Sequence, residues 1–202
     1  MRTVVPFAAG DPKTRLADVL SSAERSAFAR TMLSDVLGSV RAAGGDPTIL
    51  STAPVDADAP VTVDDRSLST AVNAVLGEAD GPVAVVMADL GLASPAALER
   101  LYATGGDVVA APGRGGGTNA LVVRHPEFRV DYHGVSFRDH RRCARDLGAA
   151  FSVVDSHRLA TDIDERADLA ELLLHGEGDA SAWLRDAGFE LVATDGRVTV
   201  TR

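Results

Sequence analysis

Five consecutive apolar residues, Val83-Ala84-Val85-Val86-Met87, lie in the stretch from Pro82 to Leu90, and this run constrains the fold more than any other feature of the chain. A strand that alternates apolar and polar side chains needs cover on one face, whereas a continuous apolar run needs cover on both. Residues 82–90 are therefore expected to form a central strand of a sheet with helices on either side, ending in Asp89.

The rest of the chain supplies those helices and further strands. Residues 3–7 read as a short apolar strand, followed by the Gly/Pro-punctuated loop Ala8-Ala9-Gly10-Asp11-Pro12. Ser21 and Glu24 have capping-box spacing, and Phe28, Met32, Leu33, Val36, Leu37 and Val40 then recur at helical period until Gly44-Gly45. Residues 48–52 read as a strand, and Leu68, Val72, Val75 and Leu76 as a helix ended by Gly77. Ser94-Pro95 opens a helix to about Tyr102. Strands are expected at 107–111, 120–123 and 151–155, and helices at 139–147 and, after a polar start, at 162–174. Asp195-Gly196 between residues 190–194 and 197–201 is a hairpin signal. Strands alternating with helices predict an α/β fold with a mainly parallel sheet, and ligands of such sheets bind beyond the carboxyl ends of the strands. With 202 residues and 46% hydrophobic content, one domain over 1–202 is expected.

Composition narrows the partners. A net charge of −9 disfavours nucleic acid, and with no apolar run of bilayer-spanning length and no signal-peptide pattern the expectation is a cytoplasmic protein without membrane contact. Cys143 is the only cysteine, which leaves no intrachain disulfide and no multi-thiolate zinc site. No histidine cluster has a metal-ligand spacing, His133 and His140 read as surface residues, and no Ser/His/Asp hydrolase motif occurs. Of the 20 basic residues only Lys13 is lysine, and this acidic, arginine-for-lysine composition fits a salt-loving microbe. A lysine kept where every other basic residue is arginine marks a place for a compact point charge.

Lys13 stands in the loop after the first strand, where backbone N–H groups and a cation suit a phosphate chain; a solvated turn is the plainer alternative. Asp89 at the end of the central strand is placed to hold Mg²⁺ against a triphosphate, with Asp162 or Asp164 as second ligand, although an aspartate such as Asp164 ahead of a helix is often only an N-cap. Gly115-Gly116-Gly117 with Thr118-Asn119 combines a backbone free of side chains with two hydrogen-bonding groups, and Arg114 adds a fork for carboxylate or phosphate; a flexible exposed loop has the same composition. Tyr132 to Phe137, with Gly134 and Ser136, reads as a second anion site at a helix start or as an ordinary turn.

Several of these segments together resemble the 2-phospho-L-lactate guanylyltransferase family of deazaflavin coenzyme biosynthesis, relatives of molybdenum-cofactor guanylyltransferases. They are Pro6-Phe7 through Pro12-Lys13-Thr14-Arg15-Leu16, Glu24-Arg25, Met32 to Leu37, Ala88-Asp89-Leu90, Ser136-Phe137, Asp162-Ile163-Asp164 with Asp168-Leu169, and the most specific, Arg114-Gly115-Gly116-Gly117-Thr118-Asn119-Ala120-Leu121. The resemblance spans nearly the whole chain. It implies a Rossmann-like nucleotidyltransferase fold, frequently a homodimer, that moves GMP from GTP to 2-phospho-L-lactate. It also implies Lys13 near the triphosphate beside Pro6, Ala8 and Gly10, with Arg15 assisting, and Mg²⁺ on Asp89 and Asp164. Arg114, Gly116, Gly117, Thr118, Asn119, Gly134 and Ser136 would hold the acceptor. The chain departs from the family pattern in having Tyr132-His133-Gly134-Val135-Ser136 where relatives often have Tyr-Gly before Gly-Ser-Phe, and Gly91 where a proline often follows the metal aspartate. Competing readings are the same chemistry on phosphoenolpyruvate or 3-phosphoglycerate, a molybdenum-cofactor or sugar-phosphate nucleotidyltransferase, and a non-catalytic nucleotide-binding regulator. The residues that would read the base are not separable from core positions.

Overall fold

The computed structural model describes residues 1–194 and 196–202. Seven strands form one sheet in the order β3-β2-β1-β4-β6-β5-β7, from β1 (Arg2–Phe7), β2 (Asp46–Ser51), β3 (Val61–Val63), β4 (Val83–Val86), β5 (Val108–Pro112), β6 (Thr118–Val123) and β7 (Phe151–Val153). The pairs β1/β2, β1/β4, β2/β3 and β5/β7 are parallel, and β6 runs antiparallel to both of its neighbours. The hairpin of β8 (Glu190–Thr194) and β9 (Arg197–Thr201) is a separate antiparallel ribbon. Its signal residue Asp195 lies outside the described residues.

Alternation along the strands sorts the core into two layers. Val5, Phe7, Ala84, Val86, Val109 and Val122 pack on one face with α1 (Ser22–Ala42) and α3 (Pro95–Ala103). Val4, Val83, Val85, Val108 and Leu121 pack on the other with α2 (Leu68–Gly77) and α4 (Ser136–Asp146). All four residues of β4 are buried, as its composition requires. A third cluster joins Leu16, Phe28 and Met32 to α6 (Arg166–His175), α7 (Asp179–Asp186) and Val200 of the hairpin. The short α5 (His157–Ala160) lies between β7 and α6. Among the described residues no helix is long and apolar enough to cross a membrane.

The capping box at Ser21 and Glu24 starts α1 as expected, with Ser21 N–H donating to Glu24 Oε2 at 2.8 Å. Several elements differ from the sequence reading. The central strand ends at Val86, so Asp89 sits in the following turn rather than on the strand. Helix α4 begins at Ser136, three residues earlier than expected. Helices α5 and α7 and the edge strand β3 had no recognised signal.

The antiparallel β6 decides where the site lies. Because it runs against β4, its first residues reach the edge at which β1 and β4 end: Ala120 pairs with Val86, and Met87 N–H donates to Asn119 O at 3.0 Å. The loop after β1, the turn after β4 and the glycine-rich loop before β6 therefore share one edge of the sheet.

Candidate active site

Lys13 closes the loop after β1 in a left-handed conformation, φ 54° and ψ 41°, the only non-glycine residue with positive φ among those described. That geometry costs an L-residue about 1 kcal/mol and is held by its surroundings. Arg25 of α1 is the anchor: its guanidinium donates to Pro12 O at 3.1 Å, Leu20 O at 3.3 Å and Asp11 Oδ1 at 2.5 Å. Only 7% of Arg25 is exposed. Its function went unread in the sequence, although an arginine in register with Phe28 and Met32 on an apolar stripe was a visible signal. From the other side, Thr52 Oγ1 accepts the N–H of Ala9 at 3.1 Å.

So positioned, the Lys13 ammonium donates to Asp89 Oδ2 at 2.9 Å and to Asp164 Oδ1 at 2.6 Å. Its side chain is 8% exposed. Burial pulls the lysine pKa down, but the two carboxylates outweigh it and the net shift is upward, so the ammonium stays charged. Ile163 N–H donates to Asp89 O at 3.1 Å, which fixes the 162–164 segment against the β4 turn. Arg15 is more exposed, with Nη1 at 3.6 Å from Asp164 Oδ2. Asp162 is half-buried and accepts from Asn119 Nδ2 at 3.2 Å; burial, with Asp89 and Asp164 adding to it, raises its pKa against that hydrogen bond. The N-cap of α6 is Glu165, so Asp164 is not the helix cap that its position also permitted.

Asp89 Oδ1 is buried and has no hydrogen-bond partner among the described residues. An orphaned carboxylate oxygen beside two further aspartates fits the oxygen-donor set of a hard divalent cation.

These groups open on a cleft of about 340 Å³ lined by Pro6, Ala8, Lys13, Asp89 and Asp164, five of the residues singled out from the sequence. Gly10 is not part of the lining, and a side chain there would meet nothing within 4 Å. The remaining wall includes Leu50, Leu68, Ala71 and Met87, with Asp64 and Arg66 from the β3 side. Arg66 grips Asp64 bidentately, Nε at 2.9 Å and Nη2 at 2.6 Å, and the guanidinium holds that carboxyl below its ordinary pKa. Neither residue carried a sequence signal, because the short β3 that leads to them is itself weakly marked.

The glycine-rich loop is built differently. Gly113 N–H donates to Gly117 O and Gly116 N–H to Gly113 O, and a Cβ on Gly113 would come within 2.5 Å of Asn119 Oδ1. Phe137 N–H donates to Gly116 O at 3.2 Å, which brings the Gly134–Ser136 turn against the loop. Thr118 and Ser136 are buried; the Ser136 hydroxyl donates to Thr118 Oγ1 at 3.3 Å, and Thr118 Oγ1 in turn lies 2.9 Å from His140 Nδ1. They form the floor of the loop and do not line the cleft. His140 is 1% exposed, a correction to its reading as a surface residue. Its Nε2 accepts the Asp131 N–H at 2.9 Å, which puts the ring proton on Nδ1, facing Thr118. Burial lowers its pKa to about 4, so it is neutral at pH 7. Arg114 forms an ion pair with Asp168, whose other oxygen accepts from Asp164 N–H at 3.1 Å and Glu165 N–H at 2.8 Å. Asp168 thus connects the loop to the Lys13 cluster, a connection that sequence order does not display.

The fold has solved counterparts. A putative nucleotide-diphospho-sugar transferase from Desulfovibrio desulfuricans G20 superposes with a TM-score of 0.73 at 16% identity, over 93% of this chain and 94% of that one. A nucleotidyl transferase from Methanothermobacter gives 0.59 at 17% identity, over 92% and 99%. At these identities the likeness establishes the nucleotidyltransferase fold. Closer in sequence are proteins named 2-phospho-L-lactate guanylyltransferase: one from Halomicrobium mukohataei is 64% identical over 202 residues, with 100% of both chains covered. Another, from Haloferax volcanii, is 62% identical over 203 residues, covering 100% of this chain and 98% of the relative. The family model described as "Guanylyl transferase CofC like" matches residues 1–202, and the chain belongs to that family.

Proposed function

We propose that the chain, acting as one domain, transfers GMP from GTP to 2-phospho-L-lactate and releases pyrophosphate. One observation carries the reading of the site: a charged, buried lysine clamped between Asp89 and Asp164 in the wall of the cleft, with Asp89 Oδ1 left without a partner. Asp89 and Asp164 would hold Mg²⁺, which when bound supplies neutralisation of the triphosphate charge. The Lys13 ammonium and the more exposed Arg15 guanidinium present donors to the phosphate oxygens and the departing pyrophosphate. A phosphate oxygen of the acceptor forms a bond to the α-phosphorus as the bond to the bridging oxygen of pyrophosphate breaks. That oxygen is already ionised at neutral pH, so no side chain has to remove a proton, and rate comes from position and charge.

Arg114 and the backbone of Gly116, Gly117 and Gly134 face the acceptor in this reading, with Asn119 steadying Asp162. Thr118 and Ser136 act from behind, setting the loop through His140 rather than touching substrate. The apolar wall of Leu50, Leu68, Ala71 and Met87 would take the base, and Asp64, held by Arg66, is the candidate acceptor for the N1–H and 2-amino protons that guanine has and adenine lacks. A homodimer in the cytoplasm completes the reading.

The test is pyrophosphate release with GTP or ATP crossed with 2-phospho-L-lactate, phosphoenolpyruvate and 3-phosphoglycerate. GTP with 2-phospho-L-lactate should have the highest kcat/KM. Turnover preferring another acceptor would reassign the Arg114 side, and no turnover with any pair would overturn the catalytic reading.

A further inference from the structure

Away from the cleft, α5 and α6 bring together three side chains that have no part in the proposed reaction. Glu171 and His175 lie one turn apart on α6, and His157 opens α5. His157 Nε2 is 3.4 Å from Glu171 Oε2, and His175 Nε2 is 3.7 Å from the same oxygen. The imidazole rings stand 5.5 Å apart at 87°. One ligand atom from each residue lies within 4.8 Å of the others, and this is the only such group of His, Cys, Asp or Glu among the described residues. No histidine spacing had pointed to it, because His157 comes from a different helix.

Two of the three separations match a coordination shell. Zinc bonds of about 2.0–2.1 Å in a tetrahedron set neighbouring ligand atoms about 3.3–3.4 Å apart, so the two observed histidine–carboxylate distances sit at that edge or slightly above it. Glu171 has no arginine or lysine within 4.0 Å among the described residues, so with neutral imidazoles the carboxylate lacks a cationic partner.

We propose that His157, Glu171 and His175 form a second metal site, selective for Zn²⁺ and similar transition-metal cations, with three protein ligands and the fourth position open to water. Two imidazoles and one carboxylate suit such ions, whereas Mg²⁺ and Ca²⁺ prefer oxygen donors alone. The ion fastens α5 to α6. Four residues are too few to hold a helix by themselves, and the Ser156 N-cap of α5 makes no side-chain bond. The fastened segment matters to the cleft: Ala160 O accepts the Arg114 N–H at 3.0 Å, and Asp162 and Asp164 follow directly. The site is thus a brace for the catalytic carboxylates, applied from outside.

The test titrates Co²⁺ and Zn²⁺ into the chelator-treated full chain in excess Mg²⁺, which saturates the oxygen-donor site. One equivalent of Co²⁺ should give the intense visible bands of four-coordinate cobalt, displaced by Zn²⁺ and not by Mg²⁺, and Zn²⁺ should raise the Tm. His157→Gln and His175→Gln should each raise Kd at least about tenfold, ~1.4 kcal/mol, while Asp89→Asn leaves Kd unchanged. Should either histidine variant lose its far-UV circular dichroism, Glu171→Gln gives the same comparison. Absence of the bands, their survival in both histidine variants, or their loss in Asp89→Asn would overturn the proposal.

Discussion

The two sides of the site are made by opposite means. Around Lys13, three charged groups crowd a partly buried space, the backbone adopts a left-handed turn, and one carboxylate oxygen has no partner. Around Thr118, neutral groups are joined in a buried chain in which the Thr118 and Ser136 hydroxyls and both His140 nitrogens are hydrogen-bonded, and the one buried atom there left without a partner among the described residues, the hydroxyl of the neighbouring Tyr132, is uncharged. Unsatisfied charge is costly to keep and marks a place that receives something of complementary charge. A satisfied neutral relay holds shape. In the proposed reading, the first side performs the chemistry and the second positions it.

The largest effect should come from breaking the charged side. Asp89→Asn keeps the size of the side chain and removes its charge, and it is expected to lower Mg²⁺-dependent kcat by roughly 10²–10³, about 3–4 kcal/mol, with circular dichroism unchanged. Rates near those of the parent would remove Asp89 from the metal assignment.

On the neutral side the expected effect is on stability. His140 has a folded pKa of about 4 against an ordinary 6.5, so the unfolded chain takes up the proton first as pH falls. Stability should be fully present above pH 6.5 and decline as pH falls towards about 4, by roughly 3 kcal/mol for this group. Denaturant unfolding across that window, compared with His140→Gln, measures it; equal slopes in both proteins would show that the ring is not held neutral.

Lys13→Arg sharpens the contrast between point charge and planar fork. A guanidinium has to fit where an ammonium lies between two carboxylates, and kcat/KM for GTP should fall at least about tenfold, ~1.4 kcal/mol, with little change in Tm. Parent-like turnover in saturating Mg²⁺ would make Lys13 a bystander. The smallest effect concerns the surface common to both sides. With a net charge of −9, stability and activity should rise as KCl approaches molar concentration, where charges are screened within ~3 Å. Highest activity at low salt would contradict this.

Features written in neighbouring residues were legible from the sequence. The continuous apolar run of β4, the capping box at Ser21, the glycine loop and the solitary Lys13 each announce themselves within a few positions. Other features depend on distant partners. Helix α7 has Gly178 at its N-cap and no local side-chain cap; Asp35 of α1 accepts from Asp179 N–H at 3.0 Å and Ala180 N–H at 2.8 Å instead. A Cβ on Gly178 would come within 2.5 Å of that carboxylate, so the glycine is required by a residue far away in the chain.

By itself, the sequence determined the alternation of strands and helices, the loops expected to carry ligands, and the charges placed on them, because hydrophobic period, capping and turn chemistry act between near neighbours. Only the tertiary structure decided that β6 runs backwards and delivers its loop to the shared edge, that Lys13 lies between Asp89 and Asp164, that His140 is buried, and that His157 meets Glu171 and His175. Those outcomes depend on which surfaces pack together. Packing joins residues such as Lys13 and Asp164 across 151 positions, where no local pattern records the pairing.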